Sequence, residues 1–452
     1  MPSLTRSEFC ATIVAIYVDF AKFVFVVLVD KKHIRMQNFA TKEDFLMHFF
    51  SKNVPVTFDT SLLYGKRTLA NVVRLNKVLG KFRHCFGVDG GYIVSSPGRL
   101  EIVGNHTDHN GGQVVGCTVN IDIVGAFDAN DKNIVCVKSS DRHDIVFNID
   151  DIFTPERGSK GMVKGVLAYL ANHGYRIGGL RAFVNSNVPV GSGISSSAAF
   201  QVMVGTMMSA LYNDNAIPKE VLAAAGQYAE NVYFGKPCGL LDQTVVAVGG
   251  MVLVDFSDGI RYSSVQSRLP DMDFVLINTG GSHASLTELY AAIPQDMFAV
   301  AKYFGCQRLC QVAPQMFYDN YQRVVDNLGE VAALRAKHFF EENARVRQLW
   351  QALQSGDEKA FVDIVNASGE SSSKQLKNCS FGNNTAIDDA VSFAKNLLRR
   401  GAARVHGGGF AGTVLCVVPK LQTPLFCAEA VAKYGIDNVR KVTPRACGTC
   451  VL

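Results

Sequence analysis

The stretch PVGSGISSSAAF at 189–200 carries the most definite chemistry in the chain. Gly191 and Gly193, with Ser192 between them, let backbone come close to a ligand. After Ile194, the run Ser195, Ser196, Ser197 stands where a helix begins. Free N–H groups and the positive end of the helix dipole would face the loop there. Such a loop holds an anion, most naturally a nucleotide phosphate, and a serine hydroxyl in it can reach Mg2+, a hard cation with oxygen ligands. It is not a Walker A loop, since no Gly-Lys-Ser/Thr follows. A solvated linker is the alternative, but linkers rarely run straight into an apolar stretch such as AAFQVMVGTMM.

Further along, AENVYFGKPCGLLDQ sets Glu230 and Asp242 on either side of a tight GKPCG turn. Phosphoryl transfer needs one carboxylate for magnesium and often another to orient or deprotonate the attacking hydroxyl. A solvated helical glutamate and an aspartate that merely caps a helix fit the same spacing. HGGGFAG at 406–412 is a second glycine loop, read either as a tight turn or as backbone pressed against a ligand. The segment PGRLEIVGNHTDHNGG at 97–112 packs four glycines, two histidines, two asparagines and one aspartate between apolar runs. On residue types it admits a metal site, a sugar site or a surface loop.

The elements that must position these residues follow from periodicity. YIVSS, QVVGCTVNIDIVGAFDAN, LRAFVNSN, MVLVDF and DFVLINTG read as strands. TLANVVRLNKVLGKFRHCFG, GMVKGVLAYLANHG and KEVLAAAGQYAENVYFG read as helices, as do KEDFLMHFFSK at 42–52 and the run after the phosphate loop. Long helices mixed with strands give an α+β fold. The polar SDGIRYSSVQSR sets a boundary near 268, so the expected organisation is an extension over 1–36, one domain over 37–268 and another over 269–452.

Composition narrows the class. At 452 residues, 48% hydrophobic and 19% charged, the chain is globular, and a net charge of +5 without a basic stripe argues against a nucleic-acid binder. Twelve cysteines show no zinc spacing; the single tight pair is Cys447 and Cys450 in ACGTC, read as reduced thiols. FCATIVAIYVDFAKFVFVVLVD at 9–30 is broken by Asp19 and Lys22 into pieces too short for a span of ~20 residues. It also lacks the marks of a signal peptide, so two strands or a poorly ordered extension is expected, in a soluble, cytoplasmic protein.

These loops, in this order, resemble the GHMP small-molecule kinases and, among them, galactokinases. PGRLEIVGNHTDHNGG resembles the sugar signature, PVGSGISSSAA the nucleotide loop, CGLLDQ the catalytic-aspartate motif and GGGFAG the third motif. NTGGSHASLTELYAA is similar to the segment with a sugar-contacting tyrosine, and the likeness runs from about 75 to 420. The resemblance implies a two-domain GHMP kinase fold with its active site in the cleft between domains. It implies transfer of the ATP γ-phosphoryl group to the C1 hydroxyl of galactose.

By the same resemblance Asp242 would be the base or orienter and Arg99 its charge-stabilising neighbour. Ser197 and Glu230 would hold Mg2+, and residues 191–197 would wrap the triphosphate with Ser139 nearby. Asn105, His106, Asp108, Gly239 and Tyr290 would face the sugar. His109 would be structural. Sugar and ATP are then the partners, with neither nucleic acid nor membrane, and a monomer is compatible with the sequence.

Asn105 departs from the pattern, since galactokinases usually carry a sugar-bonding glutamate there. Losing that charge makes a C6-modified sugar such as galacturonate an alternative substrate. His406 for threonine and Ala411 for glycine are departures in the third motif. A sugar sensor without kinase activity is a further alternative, disfavoured by an uninterrupted 195–199 together with Asp242, Arg99 and Glu230.

Overall fold

The computed structural model describes residues 24–30, 33–39, 60–65, 68–140, 142–189, 193–235, 238–265, 269, 271–280, 286–410 and 412–452. Strands β1 (Val24–Asp30) and β2 (His33–Phe39) pair antiparallel, Val24 opposite Phe39. They belong to a unit formed by Met1–Thr60 and Arg67–Lys77. Residue 36, the end expected for the extension, lies inside β2, whose ladder runs on to Phe39. The helix expected at 42–52 lies outside the described residues.

Ser61–Lys66 and Val78–Leu452 make the second unit, which holds two sheets. The larger contains β3 (Tyr92–Val103), β4 (Gln113–Asn130), β5 (Ile134–Ser139), β6 (Ile145–Asn148), β7 (Gly179–Ser186), β8 (Met251–Asp255) and β9 (Arg261–Val265). Its long β4 is buried along most of its length, matching its near-continuous apolar sequence. β5 and β7 run parallel, with Ser139 opposite Val184. The smaller sheet has the order β11 (Ala402–His406), β12 (Thr413–Pro419), β10 (Met272–Asn278), β13 (Val439–Val442). The chain changes sheet between Val265 and Met272, and β14 (Cys450–Val451) returns to pair with β3.

Helices supply the other layers. Helix Ser196–Tyr212 is apolar nearly all round and is buried through its middle against the larger sheet, with Val202, Met203 and Met207 in the same core as Val94 and Phe127. Helix Ala386–Leu397 instead buries one stripe, Ile387, Ala390 and Ala394, under the smaller sheet. Each fully buried large side chain of this kind contributes about 1.5–3 kcal/mol. The segment read as helix over KEVLAAAGQYAENVYFG is two pieces, an α-helix Lys219–Tyr228 continued by a wide π turn Ala229–Phe234. Among the described residues no helix is long and apolar enough to cross a membrane.

Candidate active site

The sugar signature begins inside β3 and not in a loop. β3 and β4 slip register between Pro97 and Arg99, so Pro97 faces Asp122 and Arg99 faces Thr118. A bulge tolerates the proline, which has no N–H to give the ladder, and re-aims the side chain that follows. Gly98 is required by proximity: a Cβ there would lie 2.9 Å from the Ile194 carbonyl oxygen. The Arg99 N–H donates to that same carbonyl at 3.1 Å, tying the bulge to the phosphate loop.

Arg99, turned by the bulge, donates through Nε to Asp242 Oδ1 at 2.7 Å, and Nη2 lies 2.7 Å from the same oxygen. Nη1 donates to the Gly193 carbonyl, and Ser195 Oγ donates to Asp242 Oδ2. Asp242 sits in the first turn of helix Leu241–Val248, with a third of its side chain still exposed while Arg99 is buried. One carboxylate is therefore held from two sides and left open on its edge.

Ser195 opens helix Ser196–Tyr212 in the left-handed region, φ +60°. His106 (φ +56°) and Phe410 (φ +58°) do the same in the signature and third loops. Non-glycine residues held this way cost about 1–3 kcal/mol each and persist where the surroundings over-determine them. Gly191 and Ser192 lie outside the described residues. Ser197 Oγ is 3.5 Å from Glu230 Oε1, and Gln201 Nε2 donates to Glu230 Oε2 at 2.7 Å. Glu230 is buried in the π turn, a widening that brings its carboxylate to the helix start. These are hard oxygen donors of the kind that would hold Mg2+ beside nucleotide phosphates.

The residues assigned to a sugar divide. Asp108, in a short turn after β3, accepts from the His109 N–H at 2.9 Å, and burial with the nearby Asp242 charge pushes its carboxyl above the usual range. Gly239 presses on it so closely that a Cβ would fall 1.6 Å from Asp108 Oδ2. His106 donates through Nε2 to the Gly408 carbonyl at 2.9 Å, and burial lowers its imidazole to about 4, so it is neutral at ordinary pH. Tyr290 donates to the Gly409 carbonyl at 2.7 Å and meets the Phe410 ring edge-on at 5.5 Å. The third loop is thus tied to the signature through His106 and to helix Thr287–Tyr303 through Tyr290. Ser139 ends β5, beside the strand that leads into the phosphate loop.

Asn105 is placed otherwise than expected. It is 1% exposed, and its amide donates to Glu101 Oε1 at 2.7 Å and to the Gly407 carbonyl at 2.8 Å. Its oxygen accepts from Asn378 Nδ2 at 2.8 Å and Ser372 Oγ at 3.3 Å. All four hydrogen-bonding positions of the side chain are filled by protein, leaving none for a ligand. Asn105 is a buried framework residue here, and the case for a C6-modified substrate loses its geometric footing.

That framework was not legible beforehand. Arg404 is fully buried between Ile102, Ser368 and Glu101, while Glu342 accepts from the Gly104 N–H at 2.9 Å and from Arg345 at 2.6 Å. Burial pushes the Glu101 carboxyl up to about 7 despite Arg404 and Arg99. His406 accepts the Glu101 N–H through Nε2 at 3.0 Å, which leaves its proton on Nδ1, buried and unpartnered toward Gly193. Apolar-looking strand sequence gave no sign of these polar ties; the Asn105 and His406 departures were the visible signals.

Residues 80–129 match the galactokinase galactose-binding signature, and residues 161–250 match the GHMP kinases N terminal domain. The galactokinase of Glaesserella parasuis serovar 5 (strain SH0165) is 31% identical over 368 residues, covering 80% of this chain and 93% of that one. A crystal structure of Lactococcus lactis galactokinase complexed with galactose superposes with a TM-score of 0.76 at 25% identity, over 84% of this chain and 100% of the other. The Methanococcus jannaschii mevalonate kinase shares the fold, with a TM-score of 0.56 at 14% identity over 78% of this chain and 98% of its own. The fold is the GHMP kinase fold, and the chain belongs to the galactokinase family, whose members are sugar kinases.

Proposed function

We propose that this chain transfers the γ-phosphoryl group of ATP to the C1 hydroxyl of galactose, giving galactose 1-phosphate. The carrying observation is Asp242, held on one oxygen by Arg99 and on the other by Ser195 at the mouth of helix Ser196–Tyr212. The exposed edge of Asp242 takes the hydrogen bond of the sugar hydroxyl and turns its oxygen in line with the phosphoryl group. A positioned carboxylate in that role is worth about 10²–10⁴-fold. Arg99 and the helix N-terminus meet the charge on the transferred group, which in such loose transition states lies on its peripheral oxygens.

Ser197 and Glu230 would hold Mg2+, which would supply positive charge against the phosphates. His106, Asp108, Gly239 and Tyr290 shape the sugar side. Incubating the protein with ATP, Mg2+ and a panel of hexoses and uronic acids, with phosphorus NMR of the products, tests the proposal. Galactose 1-phosphate and ADP are expected. Galactose binding without ADP formation would instead establish a sensor, and turnover confined to uronic acids would overturn the substrate.

A further inference from the structure

The ACGTC segment takes no part in the chemistry above, yet it builds a site of its own. Cys447 Sγ and Cys450 Sγ stand 4.0 Å apart across Gly448 and Thr449. The buried Arg445 guanidinium serves both: Nε lies 3.3 Å from Cys447 Sγ and Nη2 lies 3.6 Å from Cys450 Sγ. Arg445 is in turn fixed by Ser95 at 2.7 Å, by the Gly448 carbonyl at 2.9 Å and by Asp122 at 3.4 Å. Lys219, donating to the Ala247 carbonyl at 2.7 Å and the Thr449 carbonyl at 3.3 Å, is the other cation facing the pair.

We infer that Cys447 and Cys450 are a thiol–disulfide exchange site, with Cys447 as the attacking thiol and a small-molecule disulfide as oxidant. Two cations and one anion surround the sulfurs, an electropositive setting that favours thiolate. The Cys450 thiol hydrogen-bonds Cys447, and with Arg445 this overcomes burial and brings Cys447 down to about 6. The same interaction and burial push Cys450 up, so one sulfur is the ready nucleophile and the other keeps its proton. Both are only half-buried, unlike Cys117, Cys379 and Cys416, which are sealed in the core.

The Cys447 thiolate attacks one sulfur of the small disulfide, whose S–S bond breaks and releases one thiolate that takes up a proton. Cys450 then gives its proton to solvent, and its thiolate attacks Cys447 Sγ, expelling the second small thiolate. Two electrons pass from the cysteine pair to the small disulfide: the pair becomes cystine and the oxidant becomes two thiols. Closure draws the sulfurs from 4.0 Å to about 2.05 Å.

Glutathione disulfide is the probe, applied to the full chain, with alkylation and mass spectrometry of the peptide over 446–452. Wild type is expected to lose two hydrogens and both alkylation sites, reversibly with dithiothreitol. Cys450→Ser should trap one glutathione on Cys447, whereas Cys447→Ser should leave Cys450 unmodified at the same dose. Without any variant, Cys447 should be alkylated at pH 6 more than about tenfold faster than Cys427, whose thiol is raised by burial. A pair that stays reduced in excess glutathione disulfide overturns the inference, as does equal reactivity of Cys447 and Cys427.

Discussion

Arg99 and Asp242, 143 positions apart in the chain, meet at 2.7 Å, and the strand bulge that aims Arg99 also hydrogen-bonds the phosphate loop. One guanidinium therefore fixes the Asp242 carboxylate and the Gly193 carbonyl together. Phosphoryl transfer is chiefly a matter of position and charge, so this shared clamp is where the rate should be most sensitive.

Asp242→Asn keeps the shape of the side chain and removes its charge. Turnover is expected to fall by about 10²–10⁴-fold. Galactose should still bind, as calorimetry would detect. A rate within about twofold of wild type would remove Asp242 from the chemistry.

Gly239→Ala addresses the sugar side alone. The added carbon would fall 1.6 Å from Asp108 Oδ2, so the turn or the carboxylate must move. Displacements of this kind cost about 1–3 kcal/mol. The KM for sugar is expected to rise about tenfold or more while the KM for ATP stays near wild type. Equal changes in both would place Gly239 outside the sugar site.

Asn105→Asp distinguishes a framework role from a sugar contact. A new carboxylate would stand 2.7 Å from Glu101 in a sealed network and would have no donor to give the Gly407 carbonyl. Unfolding in denaturant should show a loss of about 2–4 kcal/mol, the range for an unsatisfied buried polar group or unpaired charge. Unchanged stability with an altered preference between galactose and galacturonate would restore Asn105 to the sugar site.

Glu101 gives the stability a pH dependence. Between the unfolded value of 4.5 and the native value of about 7, the folded chain keeps a proton that the unfolded chain has released. This contribution is complete below 4.5 and is lost as pH rises through about 7, a change of roughly 3 kcal/mol. Glu101→Gln should flatten the slope of unfolding free energy between pH 5 and pH 8, whatever its absolute effect. An unchanged slope would assign the titration elsewhere.

How much of this was legible depended on range. Helix Ser196–Tyr212 and its glycine- and serine-rich entrance are local: composition and caps decide them within a few residues, and they form where expected. β3 was read as ending at Ser96 but runs to Val103, because a bulge lets Pro97 and Gly98 stay in the sheet. The π turn at Glu230 was read as ordinary helix, since a one-residue widening leaves no mark in apolar spacing.

By itself the sequence determined the loops, their order and the family, because backbone freedom at glycine and charge at a helix end are properties of short segments. Tertiary structure alone decided which side chains reach the open site. Arg99 reaches Asp242 through a register slip between two strands. Asn105, in the same signature, is turned inward and spent on Glu101, Gly407, Ser372 and Asn378, partners up to 302 positions away. Hydrogen-bond satisfaction in a buried site is settled by what the rest of the fold brings there, and no local pattern contains that information.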